Sequence, residues 1–132
     1  MLREALERLT VQRACEVMDI REIDELRLLL IRQRRAAAVG DEDEFLELDE
    51  QLHLRIAEGA RLHIVHGFLQ QLRGFVRVAH LGVSRSPIVL EEIVNEHEGI
   101  VDALEARDAS AALRALSEHL RRSDYPIPAG GR

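Results

Sequence analysis

Apolar residues along this chain recur at intervals of three and four from the first residues to about position 122, and the alternation of a half-buried strand is nowhere sustained. That spacing constrains the fold more than any other feature. Each segment carries one apolar stripe, and stripes of this kind are buried by packing helix against helix. The intervening residues, mostly Glu, Arg, Ala and Leu, favour helix, and only three prolines interrupt the chain. The expected fold is all-α, an antiparallel bundle of about six helices.

Local signals place the helix ends. The first helix is expected over about Leu2 to Val17, with Ala5, Leu6 and Leu9 on one face. Asp19 and Glu22 have the spacing of a capping box, which opens a second helix carrying Ile23, Leu26 and Leu30 and ending near Gly40. Asp41 and Glu44 repeat that cap for a third helix ending near Gly59. A fourth is expected from about Leu62 to His80, followed by a loop over Gly82 to Ser86. Pro at the first helical position after Ser86 opens the fifth, and Asp108 caps a sixth over about Ala109 to Arg122. Residues 1–123 thus read as one bundle, and 124–132, with two prolines and paired glycines, as a flexible tail.

A chain of 132 residues is one domain, and it is acidic, with a formal charge of −6, so the overall footprint of a nucleic-acid binder is absent. Arg32, Arg34 and Arg35 read as the solvated end of the second helix, where they complement its dipole. The single cysteine, Cys15, cannot close an internal disulfide and reads as a small buried apolar residue. No signal peptide is recognisable, and no apolar run approaches the roughly 20 residues that span a bilayer. A cytoplasmic protein without a membrane partner is expected.

Four polar residues fall on inward stripes. Asp49 and His53 are four apart, one turn of the third helix, and Phe45, Asp49, Leu52 and Ile56 share its apolar face. Ile93, His97, Ile100 and Leu104 form a stripe on the fifth helix, and Ala112, Leu116 and His119 one on the sixth. With a turn at Ala106 to Asp108, His97 and His119 each lie about 15 Å from it, at nearly equal height in a hairpin. Taken singly, an inward histidine reads as a hydrogen-bonded core residue, and the Asp49/His53 pair as a surface pair. Taken together, three imidazoles and one carboxylate read as one divalent metal site, of a kind that suits Zn, Ni, Fe or Mn alike.

The same motifs resemble a known family. Phe45-x3-Asp49-x2-Leu52-His53-x2-Ile56-Ala57, then Glu96-His97-x2-Ile100-x3-Leu104-x2-Arg107-Asp108-Ala109 and His119-Leu120, are similar to the FCD effector domain of FadR-like regulators in the GntR superfamily. The resemblance covers nearly the whole chain. It implies an antiparallel helical bundle, a divalent metal on Asp49, His53, His97 and His119, and a homodimer in which the first and fourth helices take part. Where the family usually has Ser-Gly-Asn after the first motif, this chain has Ala60-Arg61-Leu62. The family's N-terminal winged helix-turn-helix is expected to be absent, so no direct DNA binding by this chain alone is expected.

The expected function is a metal-dependent sensing domain for a small organic acid in a GntR/FadR-type transcription regulator, not an enzyme. Three neutral His and one Asp around a dication leave a charge of about +1, which favours a carboxylate effector. Arg77 first, then Arg73 and Arg3, are the candidates to hold its other oxygens, since the first and fourth helices must pack around the site. The alternatives are a metal-dependent helical-bundle enzyme, hydrolytic or oxygen-activating, and a metal-free dimerisation module. Glu50-x2-His53 has the spacing of di-iron bundles, but Val94 and Leu116 stand where a second such motif needs Glu.

Overall fold

The computed structural model describes residues 2–79 and 85–123, with the side chains of Arg73, of 75–79 and of 122–123 outside that description. The tail expected at 124–132, and the loop expected at Gly82 to Ser86 up to Ser84, also lie outside the described residues. Six helices follow in order: α1 (Leu2–Val17), α2 (Ile20–Val39), α3 (Glu42–Gly59), α4 (His63–Ala79), α5 (Pro87–Glu105) and α6 (Ala109–Ser123). Among the described residues there is no strand.

The caps explain the bounds. The Asp19 carboxylate accepts from the Glu22 amide while the Glu22 side chain accepts from the Asp19 amide, closing the expected box. Asp41 forms the first half of the same arrangement with the Glu44 amide. Gly40 ends α2 in the left-handed region at φ 74°. Ser86 caps α5 ahead of Pro87, and Asp108 accepts from the Ala111 amide at the start of α6.

The α3–α4 junction, where the sequence departs from the family pattern, turns on Arg61 at φ 64°. Its guanidinium compensates for that conformation by donating to the Gly59 carbonyl and pairing with Glu22. Gly59 lies against Met18 so closely that an added Cβ would sit 2.6 Å from the Met18 Cγ. Any larger residue there would force the buried Met18 side chain to move.

In the bundle, α5 packs on α6 and α2, α2 on α3, α1 on α6 and α3, and α4 on α3 and α1. Leu26, Leu48, Leu52, Ile100, Leu104 and Leu116 are fully buried between them. Each such side chain stabilises the fold by about 2 kcal/mol relative to exposure. One expected face is turned round. The buried side of α1 is Glu7, Thr10, Val11, Ala14 and Cys15, whereas Leu9 stands 48% exposed. Apolarity alone pointed α1 the wrong way, because Glu7 finds buried partners that its sequence neighbours do not reveal.

Candidate metal centre

α3 brings Asp49 and His53 inward one turn apart, α5 brings His97 and α6 brings His119. The short α5–α6 turn sets the last two at one height, as the spacing requires. The four residues offer ligand atoms that all lie within 4.8 Å of one another. His119 Nε2 is 3.2 Å from His97 Nε2 and 3.3 Å from His53 Nε2, and the Asp49 Oδ1 is 3.1 Å from His97 Nε2 and 3.6 Å from His53 Nε2. The rings of His53 and His119 are stacked, and His97 stands edge-on to both. His97 is 0% exposed, and His53 and His119 are buried too. Asp49 alone keeps partial solvent access, so the centre opens to the outside along its carboxylate.

The far side of each ring is held by a different acceptor. Glu7 from α1 meets His53 Nδ1 at 2.9 Å, Gln33 from α2 meets His97 Nδ1 at 2.8 Å, and Glu96 from α5 meets His119 Nδ1 at 2.9 Å. The Gln33 amide nitrogen donates to the Phe45 carbonyl, which turns its oxygen towards His97. Oxygen acceptors at all three Nδ1 atoms put the ring protons there, leaving three bare Nε2 lone pairs converging with a carboxylate oxygen. Burial, reinforced by repulsion from His119, lowers the His97 pKa to about 3. Burial likewise lowers that of His119. Both are therefore neutral ligands rather than cations at pH 7.

Four lone-pair donors facing one another repel unless a cation lies among them. The Nε2 separations from His119 to His97 and to His53 also match what an ion demands. At metal–nitrogen distances of about 2.1 Å, neighbouring ligands of a tetrahedral or octahedral site stand about 3.0–3.4 Å apart. The donor set therefore fits one divalent ion, which Asp49, His53, His97 and His119 would hold, while Glu7, Gln33 and Glu96 orient the imidazoles.

Glu7, Gln33 and Glu96 were not expected from sequence as site residues, although Gln33 carried a signal. It continues the Ile23, Leu26, Leu30 stripe at helical spacing and is 1% exposed. Arg3, expected near an effector, pairs with Glu7 at 3.1 Å, and Glu7 in turn meets His53. Arg73 and Arg77 lie on α4, with their side chains outside the described residues. The outer groups also change the charge reckoning. With a dication bound, it and Arg3 would face Asp49, Glu7 and Glu96, so the assembly as a whole would be neutral and an incoming carboxylate would need a cationic partner of its own.

Comparison with known proteins gives a consistent result. Residues 1–122 match the FCD domain. The transcriptional repressor RspR of Escherichia coli K12, an HTH-type protein, is 29% identical over 122 residues, covering 91% of this chain and 53% of that protein. The putative L-lactate dehydrogenase operon regulatory protein of the same strain is 32% identical over 87 residues, 61% of this chain and 33% of that protein. The chain thus spans about half the length of the first of these relatives and a third of the second. Among solved structures, E. coli McbR/YncC superposes with a TM-score of 0.84 at 21% identity over 93% of this chain and 62% of that one, which identifies the same fold.

Proposed function

Because the chain belongs to the FCD domain family, the regulatory domain of GntR-type transcription regulators, we propose that it senses a small organic acid at a metal centre formed by Asp49, His53, His97 and His119. The observation that carries this reading is the convergence of three Nε2 lone pairs whose Nδ1 protons are fixed from outside. A divalent ion there, of the Zn, Ni, Fe or Mn class, supplies positive charge and open positions for an oxygen ligand. The chain's own residues do the rest. Glu7, Gln33 and Glu96 orient the rings, the apolar surround excludes water, and Asp49 marks the open side.

A hydroxy acid is the effector class we favour, and a relative named for an L-lactate dehydrogenase operon supports it by analogy. Arg77 first, then Arg73 and Arg3, keep the role of holding the second oxygen, and Arg3 also pairs with Glu7. Catalysis is not favoured: the relatives and the fold belong to transcription regulators. No helix among the described residues is long and apolar enough to cross a membrane, in keeping with a cytoplasmic regulator. Output to DNA requires a DNA-binding domain joined to residues 1–123.

We also propose a homodimer through α1 and α4. These helices touch, and they present Leu2, Leu9, Ile64 and Phe68 to solvent, the last two 78% and 54% exposed. Sedimentation of micromolar protein showing only a 15.0 kDa species would count against it. The sensing reading is tested by thermal shift with lactate, glycolate and malate on metal-loaded and chelated protein. Stabilisation confined to the loaded form is expected. Equal stabilisation of both forms, or of neither, removes the metal from effector binding.

A further inference from the structure

Most arginines paired on the surface of this acidic chain are matched to carboxylates: Arg27 to Asp102 and Glu105, Arg34 to Glu91 and Glu98, Arg55 to Glu25, Arg61 to Glu22. The groove between α1 and α6 is different. It is an open depression of about 400 Å³ lined by Arg8, Arg114 and Arg121, together with Ser110, Leu113, Ser117 and Glu118. Arg8 donates across the groove to the Ser117 hydroxyl at 2.6 Å, and Arg114 donates to the Ser110 hydroxyl at 3.0 Å. Arg121 has no carboxylate within ion-pair distance among the described residues. Three guanidinium groups from two helices therefore line one groove against a single carboxylate, Glu118, and two of them are met by serine hydroxyls.

The serines sharpen the chemistry. A hydroxyl that accepts from an arginine keeps its own hydrogen to donate, and neither Ser110 nor Ser117 spends it on another described residue. The groove thus offers planar guanidinium forks and two hydroxyl donors, a set that suits the several oxygens of a tetrahedral oxyanion better than a single carboxylate. Glu118, exposed within the same lining, disfavours highly charged polyanions and can accept from a hydroxyl on the ligand.

We infer that the α1–α6 groove is a second binding site, for a small phosphate-class oxyanion, separate from the metal centre. The metal-ligand side chains point into the bundle, whereas these residues line an outward seam. Arg8 follows Glu7 in the chain, and Ser117 and Glu118 precede His119, so the site joins the two helices that carry Glu7 and His119 to the centre.

The test uses protein stripped of metal by chelation and dialysis, so that anion binding at the centre cannot contribute. Inorganic phosphate at about 10 mM should raise the melting temperature by about 3 °C beyond chloride of equal ionic strength. It should also shift the side-chain Nε–H resonances of Arg8, Arg114 and Arg121 in ¹⁵N spectra. Arg114→Gln with Arg121→Gln, at exposed positions, should abolish the thermal shift and leave the phosphate-free melting temperature within about 1 °C. An equal shift in variant and parent, unmoved arginine resonances, or stabilisation by a DNA duplex but not by phosphate would each overturn the assignment. The resonance measurement needs no variant, so it decides the matter even if substitution perturbs the fold.

Discussion

Gln33 and Arg34 are neighbours in the chain and belong to opposite parts of the molecule. Gln33 turns towards the histidine cluster of the candidate metal centre, 1% exposed, and fixes one imidazole through a single 2.8 Å hydrogen bond. Arg34 turns to the α2–α5 seam and reaches Asn95, Glu91 and Glu98 on the surface. More partners do not make the stronger contribution. Water competes for every contact Arg34 makes, whereas a ring N–H in the dry interior has no substitute for the Gln33 oxygen. The two regions therefore predict opposite mutational behaviour from adjacent positions.

The largest effect is expected in the centre. Gln33→Leu keeps the volume and strands the His97 Nδ1–H, at a cost of about 2 kcal/mol in denaturant unfolding of the metal-free protein. A cost no greater than that of a surface substitution would break the comparison. Glu7→Gln is expected to retain the fold and lower metal affinity by about 10- to 100-fold in a competitive chelator titration, because the carboxylate sets the basicity and orientation of His53. Unchanged affinity would reduce Glu7 to a helix-packing role.

The acid response should sharpen the same contrast. His97 and His119 are neutral in the folded metal-free protein, because burial lowers both, but protonate in the unfolded chain near the ordinary value of 6.5. The unfolded state then binds more protons below that pH, so stability present above about 6.5 is lost as pH falls, and for His97 the loss continues to about 3. The melting temperature of chelated protein should drop between pH 7 and pH 5. A flat profile would mean that the rings are not held neutral. The smallest effect belongs to the seam: Arg34→Ala should cost less than about 1 kcal/mol and shrink further in high salt.

The helix order and the inward placement of Asp49, His53, His97 and His119 were legible in the sequence because both follow from local rules. Caps, spacing and one short turn suffice to put those four side chains at one height. The outer partners depend on tertiary neighbours. Glu7 sits in a helix whose apolar residues suggest the opposite face, and only packing against α3 shows why a carboxylate is buried there. Gln33 was hidden between two arginines, although its place on the Leu26, Leu30 stripe marked it as inward. Glu96 lay beside His97 within a recognised motif, yet its side chain serves His119 on the next helix. Residues that supply donors to the centre were visible, while residues that orient those donors from other helices were not.

The account rests on an ion among four converging lone pairs, and metal content tests it most directly. Protein purified without chelator, and the His97→Ala, His119→Ala double variant prepared alongside it, should be analysed for elemental composition at known concentration. The account predicts about one divalent ion per parent chain and a small fraction of that in the variant. Stoichiometric metal in both would place the ion elsewhere, and a parent chain that takes up none when divalent ions are supplied would contradict the metal centre itself.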